Sequence, residues 1–182
     1  MYNTKTLENA VRAAIELSES CTSDSRSDCR DVFHVVKYVR ATVRDFPDRS
    51  NNLEEMFNLL SMHAARLQKI AGGKITENII VSSEGEVFPL YITNPYGSLA
   101  HLIRRKLLKK DVKNYLRIYK IADLFMHRFL EYADMFDDNL SSQDTEMKNR
   151  LLYAFSLILE HYINLLELAM KREKIQYDEI IV

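Results

Sequence analysis

The sequence predicts an all-α fold, a bundle of about six helices with one β-hairpin inserted at about residues 77–92. Three observations predict it. Apolar residues recur every three or four positions over most of the 182-residue chain, the spacing that gathers them on one face of a helix. Glycine (4) and proline (3) are scarce, so the chain lacks the turn chemistry an all-β fold demands. After the third helical stretch, β-branched and aromatic residues replace that period.

A first helix over residues 5–19 is expected to start from Thr4 or Thr6 as cap, with Leu7, Val11, Ala14, Ile15 and Ser18 on its inner face. The Ser- and Asp-rich stretch Ser18 to Asp28 reads as a loop. Cys21 and Cys29 flank it at a spacing that suits neither a zinc knuckle nor a Cys-x-x-Cys redox pair, so they read as free thiols. Asp28 or Asp31 is expected to cap the second helix, with Val32, Val36, Val39 and Val43 inward and Pro47 ending it after Phe46. Ser50 or Asn51 opens a third helix carrying Leu53, Met56, Phe57, Leu60, Ala64 and Leu67, closed by Gly72-Gly73.

The hairpin follows from Glu77 to Val81 and Glu86 to Ile92 around Ser82-Ser83-Glu84-Gly85. Asn94-Pro95-Tyr96-Gly97 reads as a turn, with Ser98 capping a helix that runs towards Lys110. From Leu99 to Asp138 the apolar positions Leu108, Val112, Tyr115, Tyr119, Ala122, Met126, Phe129, Ala133 and Phe136 alternate by four and three. That pattern fits one long helix, or a fresh helix capped by Asp111. A last helix from about Gln143 to Lys174 places Met147, Leu151, Phe155, Ile158, Tyr162, Leu165 and Ala169 on its buried side, and the ending Tyr177 to Val182 reads as an edge strand or a frayed tail. No repeat or low-complexity tract divides residues 1–182, which read as a single helical domain.

Composition narrows the function classes. The chain is 47% hydrophobic and 28% charged, ordinary for a folded domain. It has no apolar run of membrane-spanning length, and polar Asn3, Thr4 and Lys5 stand where a secretion signal would need an apolar core. The expected setting is the cytoplasm or nucleus, not the secreted or membrane fraction.

Charge supplies the sharpest signal. Arg104, Arg105, Lys106, Lys109, Lys110, Lys113, Arg117 and Lys120 fall in one window against Asp111 alone, a local net of +7 in a chain whose net charge is −1. The next stretch, Ile121 to Glu146, sums to −6 and includes Asp123, Glu131, Asp134 and Asp138. On a continuous helix Lys106, Lys110, Lys113, Arg117 and Lys120 share one strip. Three readings follow. The strip receives nucleic-acid phosphates. Alternatively the basic and acidic halves pair across a two-fold, as a homodimer or higher oligomer, or meet a separate protein. In the third reading Asp111 breaks the helix and the pattern is capping.

Chemical motifs are sparse. Asp123, His127, Glu131, Asp134 and Asp138 line one strip without the Glu-x-x-His repeats of a bundle metal site, so no metal is expected. His63 and His101 lack a neighbouring Ser, Cys or carboxylate in sequence, and Gly72-Gly73 lacks the Lys-Ser/Thr of a phosphate loop. No catalytic residue and no cofactor are assigned. The sequence thus points to a non-enzymatic helical binding module acting through protein–protein interaction, as a small regulator, inhibitor or adaptor; nucleic-acid binding through residues 104–120 is the alternative.

Overall fold

The structure, a computed structural model, describes residues 2–48, 50–71, 79–81, 87–89, 94–137 and 143–175. It is a helical bundle of α1 (Thr4–Glu19), α2 (Arg26–Asp45), α3 (Asn51–Ile70), α4 (Asn94–Lys109), α5 (Val112–Asp137) and α6 (Gln143–Arg172), with a 3-10 turn at Ser23–Ser25. Between α3 and α4, β1 (Ile79–Val81) pairs antiparallel with β2 (Val87–Pro89), Ile80 opposite Phe88. Residues 82–86 of the expected hairpin, Gly72-Gly73 and the ending from Tyr177 lie outside the described residues.

Packing orders the helices. α1 lies against α2, α3 and α5; α2 also meets α3 and α4; α5 also meets α4 and α6; and α6 rests on α4 and α5. α3 and α6 therefore form opposite flanks of the bundle. Small residues let the inner helices approach closely: α1 buries Ala10, Ala13, Ala14 and Ser18 beside Leu7, Val11 and Leu17. The expected valine stripe of α2 is buried in full, and so are Leu53, Met56, Leu60, Ala64 and Leu67 of α3.

Aromatic contacts tie α2, α4 and α5 together at the centre. Tyr96 stands edge-on to Phe125 (centroids 5.0 Å, 73°) and Phe129 (5.9 Å, 89°), and Tyr38 lies 4.3 Å from Phe125. Their hydroxyls satisfy each other inside the core, with Tyr38 Oη and Tyr96 Oη 2.8 Å apart.

Several local expectations need correction. Asn3 caps α1, its Oδ1 accepting from the Thr6 amide at 2.8 Å, because a cap stands outside the first helical residue and Thr4 is already inside. α2 starts at Arg26, so Asp28 and Asp31 lie within its first turns, where ion pairing claims them. α4 starts at Asn94, four residues before Ser98; Pro95 costs a first helical turn nothing, since its missing N–H would have no helical acceptor there.

The question of one helix or two is settled at Lys110. Its φ of 51° is left-handed, the Lys110 amide donates to the Leu107 carbonyl and the Asp111 amide reaches back to the Lys106 carbonyl. This is the Schellman ending of a helix. The break resets the helical phase, so Leu108 (74% exposed) and Val112, expected on the inner seam, face outward. Leu99, Leu102 and Ile103 of α4 and Tyr115, Ile118, Ile121, Ala122 and Phe125 of α5 fill the interior.

A lysine in the left-handed region carries a steric cost that glycine escapes. Lys110→Gly is expected to raise stability by about 0.5–1 kcal/mol, seen as a higher urea midpoint at unchanged slope. A lowered midpoint would refute this account of the α4–α5 elbow.

Candidate functional site

The structure divides the basic window into two sets. Three of its members are consumed within the chain. Arg105 donates from Nε to Asp28 Oδ1 at 2.7 Å and from its terminal nitrogen to Asp31 Oδ2. Lys106 Nζ lies 3.1 Å from Asp28 Oδ2 and 3.3 Å from Asp111 Oδ2, with only 12% of its side chain exposed. Arg117 donates to Glu16 Oε2 at 2.8 Å and to Asn114 Oδ1 at 3.0 Å, and Asn114 donates to Asp111 Oδ2 at 2.8 Å. These contacts run as one polar chain from Asp31 on α2 through α4, the elbow and α5 to Glu16 on α1.

The second set faces water. Arg104, Lys109, Lys110 and Lys113 are exposed and Lys120 is half-buried, and none of the five makes an ion pair among the described residues. A continuous five-membered strip is therefore corrected twice. The elbow interrupts it, and Lys106 and Arg117 are turned to carboxylates of α1 and α2.

Two members of the expected acidic pairing face have partners within the chain. Glu131 accepts the Tyr2 amide at 3.2 Å, tying down the N-terminus, and Asp123 lies 3.4 Å from His127 Nδ1 on its own helix. Burial raises the Asp123 pKa against the lowering pull of His127. Asp134 lies in α5 with its side chain outside the described set, and Asp138 lies outside the described residues. Pairing of intact +7 and −6 halves thus loses Arg105, Lys106 and Arg117 from its basic side.

Asp28 is the electrostatic centre. Burial pushes its carboxyl pKa up, but the hydrogen bonds and charges of Lys106 and Arg105 outweigh that and hold it below the ordinary carboxylate value. Arg105 and Lys106 are raised in return: burial lowers each, and Asp31 and Asp28 for Arg105, or Asp28 and Asp111 for Lys106, more than reverse it.

The histidine and cysteine candidates resolve differently from their sequence context. His63 Nδ1 lies 2.9 Å from Ser18 Oγ, a partner 45 positions away that local sequence could not show. Ser18 is fully buried and His63 half-buried, so the pair is a clasp between α1 and α3. Arg66 reinforces it by donating to the Ser18 and Cys21 carbonyls at 2.7 Å each, cationic help at a helix C-terminus. Cys21 and Cys29 are free, buried thiols; burial first, then the Cys29 thiol beside it, push Cys21 up to about 12. Among the described residues no three His, Cys, Asp or Glu side chains gather as a cation site requires.

The surface that sequence reasoning missed is on α6. Ala169 is buried and Phe155 and Tyr162 pack against the core as expected, but Ile158 and Leu165, also expected inside, face outward, and Leu159, Leu166 and Met170 complete the inner face. Side chains of Met147 and Leu151 lie outside the described set. With Tyr153 (66% exposed), Leu157 and Leu168 (64%), the outward residues form an apolar band along a flank of the bundle. Contiguous apolar surface of this kind is what contact sites between proteins are commonly built from. The signal was present in the sequence as apolar residues on both faces of one helix, a pattern that a single buried stripe does not need. Elsewhere an open groove of about 320 Å³ lies between the end of α2 and the start of α3, lined by Val43, Leu53 and Phe57 among others.

No protein-family model, no curated protein and no solved structure matches this chain. Among the described residues no helix is long and apolar enough to cross a membrane.

The Asp28 pairing makes a pH prediction. A carboxyl with a depressed folded pKa adds stability that is present above its unfolded pKa and is lost as pH falls through the folded one. The urea midpoint is expected to fall with acidification between about pH 5 and pH 2. In Asp28→Asn the protein should be less stable at neutral pH by about 2 kcal/mol, with a shallower acid-side fall. An identical pH slope in the variant would remove Asp28 from this role.

Proposed function

We propose that this chain is a non-enzymatic helical module, residues 1–182 acting as one domain, that works by binding protein as a small regulator, inhibitor or adaptor. One observation carries this reading: the outward apolar band of α6, Tyr153, Leu157, Ile158, Leu165 and Leu168. Leaving large apolar side chains in water forgoes about 1.5–3 kcal/mol for each one that could be fully buried, so a partner that covers the band gains what the bundle leaves unused. The partner is a protein, and the module works as an oligomer in the cytoplasm or nucleus, a setting in keeping with its two free thiols. The hairpin read at about residues 77–92, which the β1–β2 pairing supports, offers a further contact surface between α3 and α4.

Nucleic-acid binding is the second reading, favoured by the solvent-facing cations Arg104, Lys109, Lys110 and Lys113. Lys106 and Arg117 do not belong to its test, because their loss would unsettle the helix contacts.

A photo-reactive residue placed at Leu168 in the native host is expected to cross-link α6 to a polypeptide. Absence of any protein adduct would overturn the interaction reading. In parallel, Lys109→Glu with Lys110→Glu and Lys113→Glu should leave that adduct intact. If the triple variant instead loses retained RNA or DNA, seen in the ultraviolet absorbance ratio of the purified chain, the second reading takes precedence.

A further inference from the structure

We infer that the partner of the α6 band is a second copy of this chain, docked with the two α6 helices antiparallel; the inference rests on the reading of that band as the binding surface. Its basis is the spacing of the outward residues. Ala154, Ile158, His161, Leu165 and Leu168 follow one another by four, three, four and three, and all are exposed. That step is the seam of a two-helix coiled coil, with Ile158 and Leu165 in one core position and Ala154, His161 and Leu168 in the other. A helix that packs on its own bundle through Leu159, Leu166, Ala169 and Met170 has no internal use for a second seam on the other side.

The seam complements itself. About a two-fold axis near residue 163, Ile158 lies beside the second copy's Leu168 and His161 beside the second copy's Leu165, and each layer then repeats in reverse. The large seam residues Ile158, His161, Leu165 and Leu168 thus meet one another reciprocally, as in an isologous interface. Antiparallel docking also keeps like charges apart. A parallel arrangement would set His161 against its own copy and bring the terminal cations Lys171, Arg172 and Lys174 onto theirs; the antiparallel one moves them to opposite ends.

Area and access agree with this occupant. The five large outward residues expose roughly 500 Å² of largely apolar surface per copy. Two copies together thus offer about 1,000 Å², the size at which a specific interface begins and one that suits weak association. α6 is a flank helix resting on α4 and α5, so two bundles docked through it lie on opposite sides of the interface. His161 in a core layer weakens the seam, as a polar residue there does. The expected dimer is accordingly concentration-dependent, in the micromolar range.

The test uses the purified full chain. Sedimentation velocity from about 1 to 200 μM should show the mass shifting from one chain to two. Ile158→Glu with Leu168→Glu should hold it at one chain at every concentration, with circular dichroism unchanged. His161→Leu should strengthen association by at least about fivefold, which tests the seam without a disruptive change. Register is read by oxidative cross-linking: Ile158→Cys mixed with Leu168→Cys should couple faster than either variant with itself. A native chain that remains single throughout overturns the inference while leaving the photo-adduct at Leu168 to decide the broader reading. Dimerisation unmoved by both seam variants, or faster coupling of Ile158→Cys to itself, overturns it as well.

Discussion

A single buried carboxylate, Asp28, holds two adjacent cations of another helix, and the arrangement of the bundle follows from that pairing. Arg105 and Lys106 are consecutive on α4, and Asp28 takes one with each oxygen. Two rigid contacts between neighbouring helices fix both how far and how much α4 turns against α2. Lys106 carries the link on to Asp111, and Asn114 and Arg117 extend it to α1. Removing any one inner member leaves a charge in a poorly solvated place without its full complement, so the chain behaves as a unit. Aliphatic contacts supply the bulk of the burial, whereas this polar chain adds directional contacts that link α2, α4, α5 and α1.

The elbow shows the same economy. At a helix end of the Schellman type the residue after the left-handed one commonly makes an apolar contact back to the last turn. Here that pair is Asp111 and Lys106, and a salt bridge stands in place of the apolar contact. At the end of α6, Lys174 also adopts positive φ, and the corresponding residues are Ile175 and Met170, the usual apolar kind. The ionic version ties the elbow into the polar chain, and α5 leaves α4 in a fixed direction.

Much of the fold was legible from residue spacing, and the exceptions share a cause. The stripes of α1, α2 and α3 were readable because each helix has one apolar face and a polar remainder. Helix starts were harder: Ser50 was identifiable, while Asn3 and Asn94 were displaced by better-looking Thr and Ser candidates a few residues on. Phase was lost at Lys110, since a non-glycine residue gives little warning of a left-handed turn. The window of eight cations was visible at once, but which of them meet carboxylates depended on residues more than 70 positions away, Asp28 and Asp31 for Arg105. The face of α6 could not be chosen from the pattern because both faces are apolar, and only the placement of α4 and α5 decides which is covered. Ambiguity in the pattern was itself the trace of the candidate surface.

The thiols at the junction of α1 and α2 have a practical bearing on how the molecule can be handled. A sulfhydryl pushed up to about 12 and screened from water stays protonated at neutral pH, and only its anion attacks electrophiles or oxidants at useful speed. Folded material is therefore silent towards maleimides and mild peroxide at Cys21. Whatever slow labelling occurs reports how often this corner opens, which gives the chain an intrinsic clock for local breathing without any introduced probe.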